Sequence, residues 1–136
     1  QSRELRFQNV RSAVAEKGVI NLLYRFPERF GDMPLTGEDF SSDVLGRMYE
    51  ALRERVRTGQ GMSMAALGEK FSQEELSLLA EILHKDDIAP SAAGEAMGDY
   101  IRILQEEKEK ATRQEDLRGY AEKLKQRKGY GGKDGS

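Results

Sequence analysis

The stretch Ser42-Asp43-Val44-Leu45-Gly46-Arg47-Met48-Tyr49-Glu50-Ala51-Leu52-Arg53-Glu54-Arg55-Val56-Arg57-Thr58-Gly59 decides the fold class. Val44, Leu45, Met48, Tyr49, Leu52 and Val56 recur at the spacing of one helix face, with charged residues between them. Ser41 or Ser42 supplies a side-chain cap for the first free N–H groups. Gly59 stands where a helix closes on a left-handed residue.

Outward from this helix the same pattern repeats, and no window alternates apolar and polar residues long enough to argue a strand. Upstream, a helix is expected from about Arg3 to Phe26. It carries Leu5, Phe7, Val10 and Val14, then the denser cluster Val19, Ile20, Leu22, Leu23 and Tyr24, with a break or bend at Gly18. Pro27 suits the first turn of a short helix through Phe30, and residues 31–40 read as a loop. Downstream, Ser63 caps a short helix Met64–Lys70. Ser72-Gln73-Glu74-Glu75 has capping-box spacing and starts a helix that buries Leu76, Leu79, Ile82 and Leu83. His84 to Pro90 is a polar loop. Beyond Ser91 a helix bears Ala93, Met97, Tyr100, Ile101 and Leu104, then turns wholly polar from Gln105 to Lys110. Thr112-Arg113-Gln114-Glu115 is a second capping box, expected to start a last helix with Leu117, Tyr120, Ala121 and Leu124, stopped by Gly129.

The expected architecture is therefore all-α. A multi-helix bundle occupies residues 1–88, a helical hairpin 89–128, and a flexible, Gly-rich tail 129–136. So polar a hairpin is expected to be mobile or to complete its packing on another protein.

Composition narrows the function. The chain has 136 residues, no cysteine and one histidine, so thiolate chemistry and cysteine zinc sites are excluded. Lys and Arg number 22 against 24 acids, a net charge of −2, whereas a nucleic-acid binder usually carries a basic excess. No apolar run approaches the ~20 residues that span a bilayer, and the charged N-terminus lacks the apolar core of a signal peptide. A cytoplasmic setting without a membrane role is expected.

No catalytic constellation emerges. His84-Lys85-Asp86-Asp87 reads as a solvated turn, since zinc needs three or four ligands at defined spacing. There is no G-x-S-x-G elbow. The tail Gly129-Tyr130-Gly131-Gly132-Lys133 matches a phosphate loop in composition alone. Pairs such as Glu74-Glu75 and Glu106-Glu107 read as helix-surface and helix-start charge. No catalytic residue, metal site or cofactor is expected. The last helix stands apart: from Thr112 to Lys128 it holds three more cations than acids, and Leu117, Tyr120 and Leu124 have little core to enter. A helix-to-protein contact accounts for them.

The order of these features resembles the C-terminal domain of bacterial DnaG-type primases. The likeness is carried by Ala15-Glu16-Lys17-Gly18-Val19-Ile20-Asn21-Leu22-Leu23 followed by Phe26-Pro27-Glu28, and by Asp39-Phe40-Ser41 leading into Met48-Tyr49-Glu50-Ala51-Leu52 and Gly59. Leu76-Ser77-Leu78-Leu79-Ala80-Glu81-Ile82 and Asp99-Tyr100-Ile101-Arg102 complete it, over residues 13–128. The resemblance implies a non-catalytic domain that recruits the primer-synthesising enzyme to the hexameric replicative helicase, gripping the helicase N-terminal domains, while the bundle modulates the helicase. It implies contacts at Leu117, Arg118, Tyr120, Leu124, Lys125 and Lys128, with Tyr100, Ile103 and Lys108 in second place. It implies a monomer when alone and no strong direct binding of nucleic acid. The N-terminal collar domain of the helicase is similar to the same bundle and gives the alternative reading, an oligomerisation module. In that case a linker and a P-loop ATPase would follow, and the short polar ending after Arg127-Lys128-Gly129 favours the primase.

Overall fold

The structure is a computed structural model that describes the backbone of residues 6–61 and 63–135 and side chains as far as Gln126. Among the described residues there are six α-helices, two 3-10 turns and no strand. The helices are α1 (Val10–Arg25), α2 (Pro27–Phe30), α3 (Asp43–Arg57), α4 (Met64–Leu67), α5 (Gln73–Leu83) and α6 (Ala93–Gly135).

Local chemistry sets most boundaries. Asn9 caps α1 by accepting from the N–H of Ser12, Ser42 caps α3 through Leu45, and Ser63 caps α4 through Ala66. Ser72 and Glu75 form a reciprocal capping box on α5, as their spacing predicts. Gly59, at φ 72°, closes α3 in the conformation that a side chain would resist. Helix α1 begins at Val10 rather than near Arg3, because Asn9 is extended and captures the first free donor. Leu5 lies outside the described residues. Helix α4 ends at Leu67, short of Lys70, because Gly68 closes it on the Met64 carbonyl.

The core is the common interior of α1, α3, α5 and the first half of α6. Val19, Ile20, Leu22 and Leu23 of α1 meet Leu45, Met48, Tyr49 and Leu52 of α3, and all eight are fully buried. Each such side chain contributes roughly 1.5–3 kcal/mol relative to exposure. Tyr49 stacks on Phe40 at 5.0 Å between ring centres and donates its hydroxyl to the Leu35 carbonyl at 2.9 Å. Burial pushes that phenol up to about 12.

One buried polar group organises this interior. The Glu16 side chain is fully enclosed, and its carboxyl oxygens accept from the Ser12 hydroxyl (2.6 Å), the Ser41 N–H (2.8 Å), the Ser41 hydroxyl (2.6 Å) and the Ser42 N–H (3.3 Å). The middle of α1 is thereby tied to the start of α3. A second set of ties holds the loop after α5. Asn21 donates to the carbonyls of Ile82 and Lys85, Arg25 to that of Ile88 and Arg29 to that of Pro90.

Three expectations are corrected. First, Gly18 does not break α1. It lies where α6 crosses, and a Cβ there would stand 2.4 Å from the Tyr100 ring. The glycine provides room for an aromatic side chain, not a bend. Second, residues 93–135 form one continuous helix, not a hairpin. The capping-box pattern at Thr112 sits in an unbroken run of good helix formers, Lys110 to Glu115 with only Thr112 less favourable, and nothing there stops propagation. Third, the helix does not stop at Gly129, since the backbone stays helical through Gly135. Glycine weakens a helix without blocking it as proline does, and no proline follows Pro90. The division between bundle and appendage moves accordingly. Ala93, Met97 and Leu104 of α6 are buried in the bundle core, so the boundary falls inside α6 and not at residue 88.

Two stability measurements follow. Glu16→Ala strands the donors of Ser41 and Ser42 and is expected to cost about 3 kcal/mol in chemical denaturation; a cost under about 1 kcal/mol contradicts the anchoring role. Gly18→Ala is expected to lower the melting temperature of the native chain but to raise it in a Tyr100→Ala background, where only the helix-propensity gain of about 1 kcal/mol remains.

Candidate partner-docking surface

Helix α6 changes character along its length. From Ala93 to Leu104 the residues Ala93, Met97, Tyr100, Ile101 and Leu104 rest on the bundle. From Lys108 to Gln126 every side chain is exposed. At 1.5 Å per residue the docked part, Ala93 to Leu104, covers about 18 Å, and the exposed part, Lys108 to Gln126, about 28 Å. This second part is an arm with no core of its own.

A polar latch marks where the arm leaves. Glu107 is buried and accepts from Arg11 at 2.6 Å, from Asn9 at 3.1 Å and from Lys110 at 3.3 Å. Arg11 also reaches Glu106 at 3.0 Å. Hydrogen bonds from Arg11 and Asn9, with smaller help from Lys110, outweigh burial and hold the Glu107 carboxyl down at about 2. One residue on, the Lys108 ammonium meets Asp39 at 2.7 Å, and the hydrogen bond to Asp39 raises its affinity for its proton. The reading of Glu106-Glu107 as plain surface charge is thus corrected for Glu107. A signal for it was present: Ala93, Met97, Tyr100, Leu104 and Glu107 advance at helical spacing, so the carboxyl falls on the buried row.

On the arm, Leu117, Tyr120 and Leu124 are 67%, 62% and 42% exposed. At 100° per residue they share one face, and that face points roughly opposite to the row formed by Ala93, Met97 and Leu104. The bundle that holds the base of α6 therefore cannot cover this stripe by a roll of the helix. Arg118 and Lys125 are also exposed, but they lie about 80–100° round the axis from Leu117, on a row of their own. The Lys128 side chain lies outside the described residues. Of the second-rank positions, Tyr100 is partly buried over Gly18, Ile103 packs against the core edge, and Lys108 is engaged in the latch. The structure thus brings Leu117, Tyr120 and Leu124 together and does not bring Tyr100 or Lys108 to them.

Elsewhere, a groove of about 970 Å³ runs past Phe40, Arg47, Glu50, Glu54 and Phe71. Its Arg47 is engaged by Asp43 and Glu75, at 3.0 and 2.8 Å, and Ser41 on its wall donates its hydroxyl to the buried Glu16 carboxylate at 2.6 Å. His84 is exposed, with one ring nitrogen 2.6 Å from the Ala80 carbonyl, and no group of potential metal ligands occurs among the described residues. No described helix is long and apolar enough to cross a membrane. No family model, curated protein or solved structure matches this chain.

The latch has a pH signature. Because the Glu107 carboxyl titrates below its ordinary 4.5 when folded, the tie contributes stability above that pH and loses it as pH falls towards about 2. Glu107→Gln is expected to flatten the fall of melting temperature across this window. An unchanged acid profile in the variant contradicts the latch.

Proposed function

We propose that this chain is the helicase-binding domain of a bacterial DnaG-type primase, with a bundle similar to the N-terminal domain of the replicative helicase. The observation that carries the reading is the arm: a helix anchored at its base and bearing Leu117, Tyr120 and Leu124 on a face its own bundle cannot reach. Most helical stability in proteins comes from packing an amphipathic face, and a partner docked on this one would supply it. The ordered motifs from Ala15-Glu16 to Asp99-Tyr100-Ile101-Arg102 supply the family and hence the partner, the N-terminal domains of the hexameric helicase.

In this reading the domain performs no chemistry and takes no cofactor. It acts in the cytoplasm as a monomer that tethers primer synthesis to a helicase moving on the fork, which raises the local concentration of the enzyme on freshly unwound strand. In the same reading the bundle, which fixes the base of α6, modulates the helicase. The helicase-collar alternative predicts self-association instead, with the stripe covered by a second copy.

Titration calorimetry against the replicative helicase of the same organism tests the proposal. Leu124→Asp and Tyr120→Ala are each expected to weaken binding by about tenfold or more while helicity and melting are retained. Unchanged affinity in both variants rules the stripe out. A chain that ignores the helicase and sediments as an oligomer favours the collar reading. The informative truncation lies after Lys110; a cut at Pro90 would remove Ala93, Met97 and Leu104 from the core.

A further inference from the structure

Resting on the reading above, we infer that Lys108 is a positioning residue for helicase binding: paired with Asp39, it fixes the direction of the arm and strengthens the grip of Leu117, Tyr120 and Leu124 without touching the helicase.

The side of the helix decides against a direct contact. At 100° per residue Lys108 lies about 180° round the axis from Leu117, about 120° from Tyr120 and about 160° from Leu124. A partner seated on the stripe has α6 itself between it and the Lys108 ammonium. That ammonium is also engaged already, 2.7 Å from Asp39.

Asp39 is a firm anchor. One carboxyl oxygen takes the Lys108 ammonium, and the other accepts from the Thr36 N–H at 2.9 Å, closing the 3-10 turn Gly37–Asp39. The next residue, Phe40, is buried and stacked on Tyr49. Asp39 is thus ordered with or without Lys108, so the pair costs the ordering of one side chain and not two.

The two ties of the latch also act from different sides. Glu107 and Lys108 stand about 100° apart round α6, Glu107 towards Asn9 and Arg11 at the start of α1, Lys108 towards the turn before α3. They straddle the row Ala93, Met97 and Leu104 on which α6 rests. Apolar packing is non-directional, so one such row resists roll and sideways tilt weakly; ties on both flanks oppose both. The lever is long. Leu124 is about 24 Å along the axis from Lys108, and a tilt of about 20° at the latch displaces it by about 8 Å. An arm held in one direction loses less freedom on docking than one that swings, a gain in affinity that needs no contact.

The test joins arm geometry in the free chain to affinity. The chain has no cysteine, so spin labels at Glu74→Cys on α5 and Glu122→Cys on the arm, both away from the stripe, report a single distance. Lys108→Met and Asp39→Asn are each expected to broaden the distribution of that distance while helicity and melting are retained, and Lys108→Arg to keep it narrow. In calorimetry of the full, unlabelled chain against the helicase hexamer, each of the first two is expected to weaken binding by about threefold, and the double variant by no more than either. Lys108→Arg is expected to bind like the native chain. A distribution unchanged in both variants overturns the positioning role. So does a loss of affinity in Lys108→Met that Asp39→Asn does not share, which would put Lys108 in contact with the helicase. If the native chain does not bind, the helicase reading and the affinity claim fall together, and the distances still decide whether the pair directs the arm.

Discussion

The whole arrangement hangs on a carboxyl group placed where water cannot reach it. Glu16 sits in the middle of α1 and receives donors from Ser12, Ser41 and Ser42. A buried polar group without partners would destabilise the fold by several kcal/mol, so the segment before α3 has to come to it. Once Ser42 is held there it also caps α3, and Leu45, Met48, Tyr49 and Leu52 are presented to the apolar face of α1. Asn21, Arg25 and Arg29 then take up the free carbonyls of the loop after α5 and fix where Pro90 starts the path into α6. Helix α1 is thus the frame: polar ties join it to the start of α3, to the end of α5 and the loop that follows, and to α6, and apolar packing completes the core.

The same frame decides what is left over. Tyr100 over Gly18, Glu107 on Arg11 and Asn9, and Lys108 on Asp39 hold the base of α6 at three levels, and beyond them no tie to the bundle occurs among the described residues. A helix fixed at one end and bare for the next five turns is an unusual thing for a core to produce. Its apolar residues gain nothing from this chain's own bundle. The latch sets the direction in which the arm leaves the bundle.

The sequence disclosed the parts of the fold that are local. The Ser42, Ser63 and Ser72 caps, the left-handed Gly59, the short helix at Pro27 and the apolar face of α3 all depend on residues within a turn or two of one another. The exposed stripe on the last helix was legible for the same reason. What could not be read locally depends on contacts across the chain. Gly18 looks like a helix breaker until Tyr100, over 80 residues away, lies on it. Glu107 looks like surface charge until Arg11 and Asn9 reach it. The expected hairpin failed differently: a genuine capping signal at Thr112 lost to the helix-forming run around it, since a cap lowers the cost of an end without creating one. The resemblance groups Arg118 and Lys125 with Leu117, whereas helix geometry sets them about a quarter-turn from it.

The central claim is that residues 111–126 form a docking arm outside the cooperative core. Amide hydrogen exchange on the full chain, with and without the replicative helicase, tests it most directly. The account predicts slow exchange in α1, α3, α5 and residues 96–107 of the free protein, fast exchange from 111 to 126, and protection of that segment when the helicase is added. Arm amides as slow as the core in the free protein, or unchanged by the helicase, would contradict it.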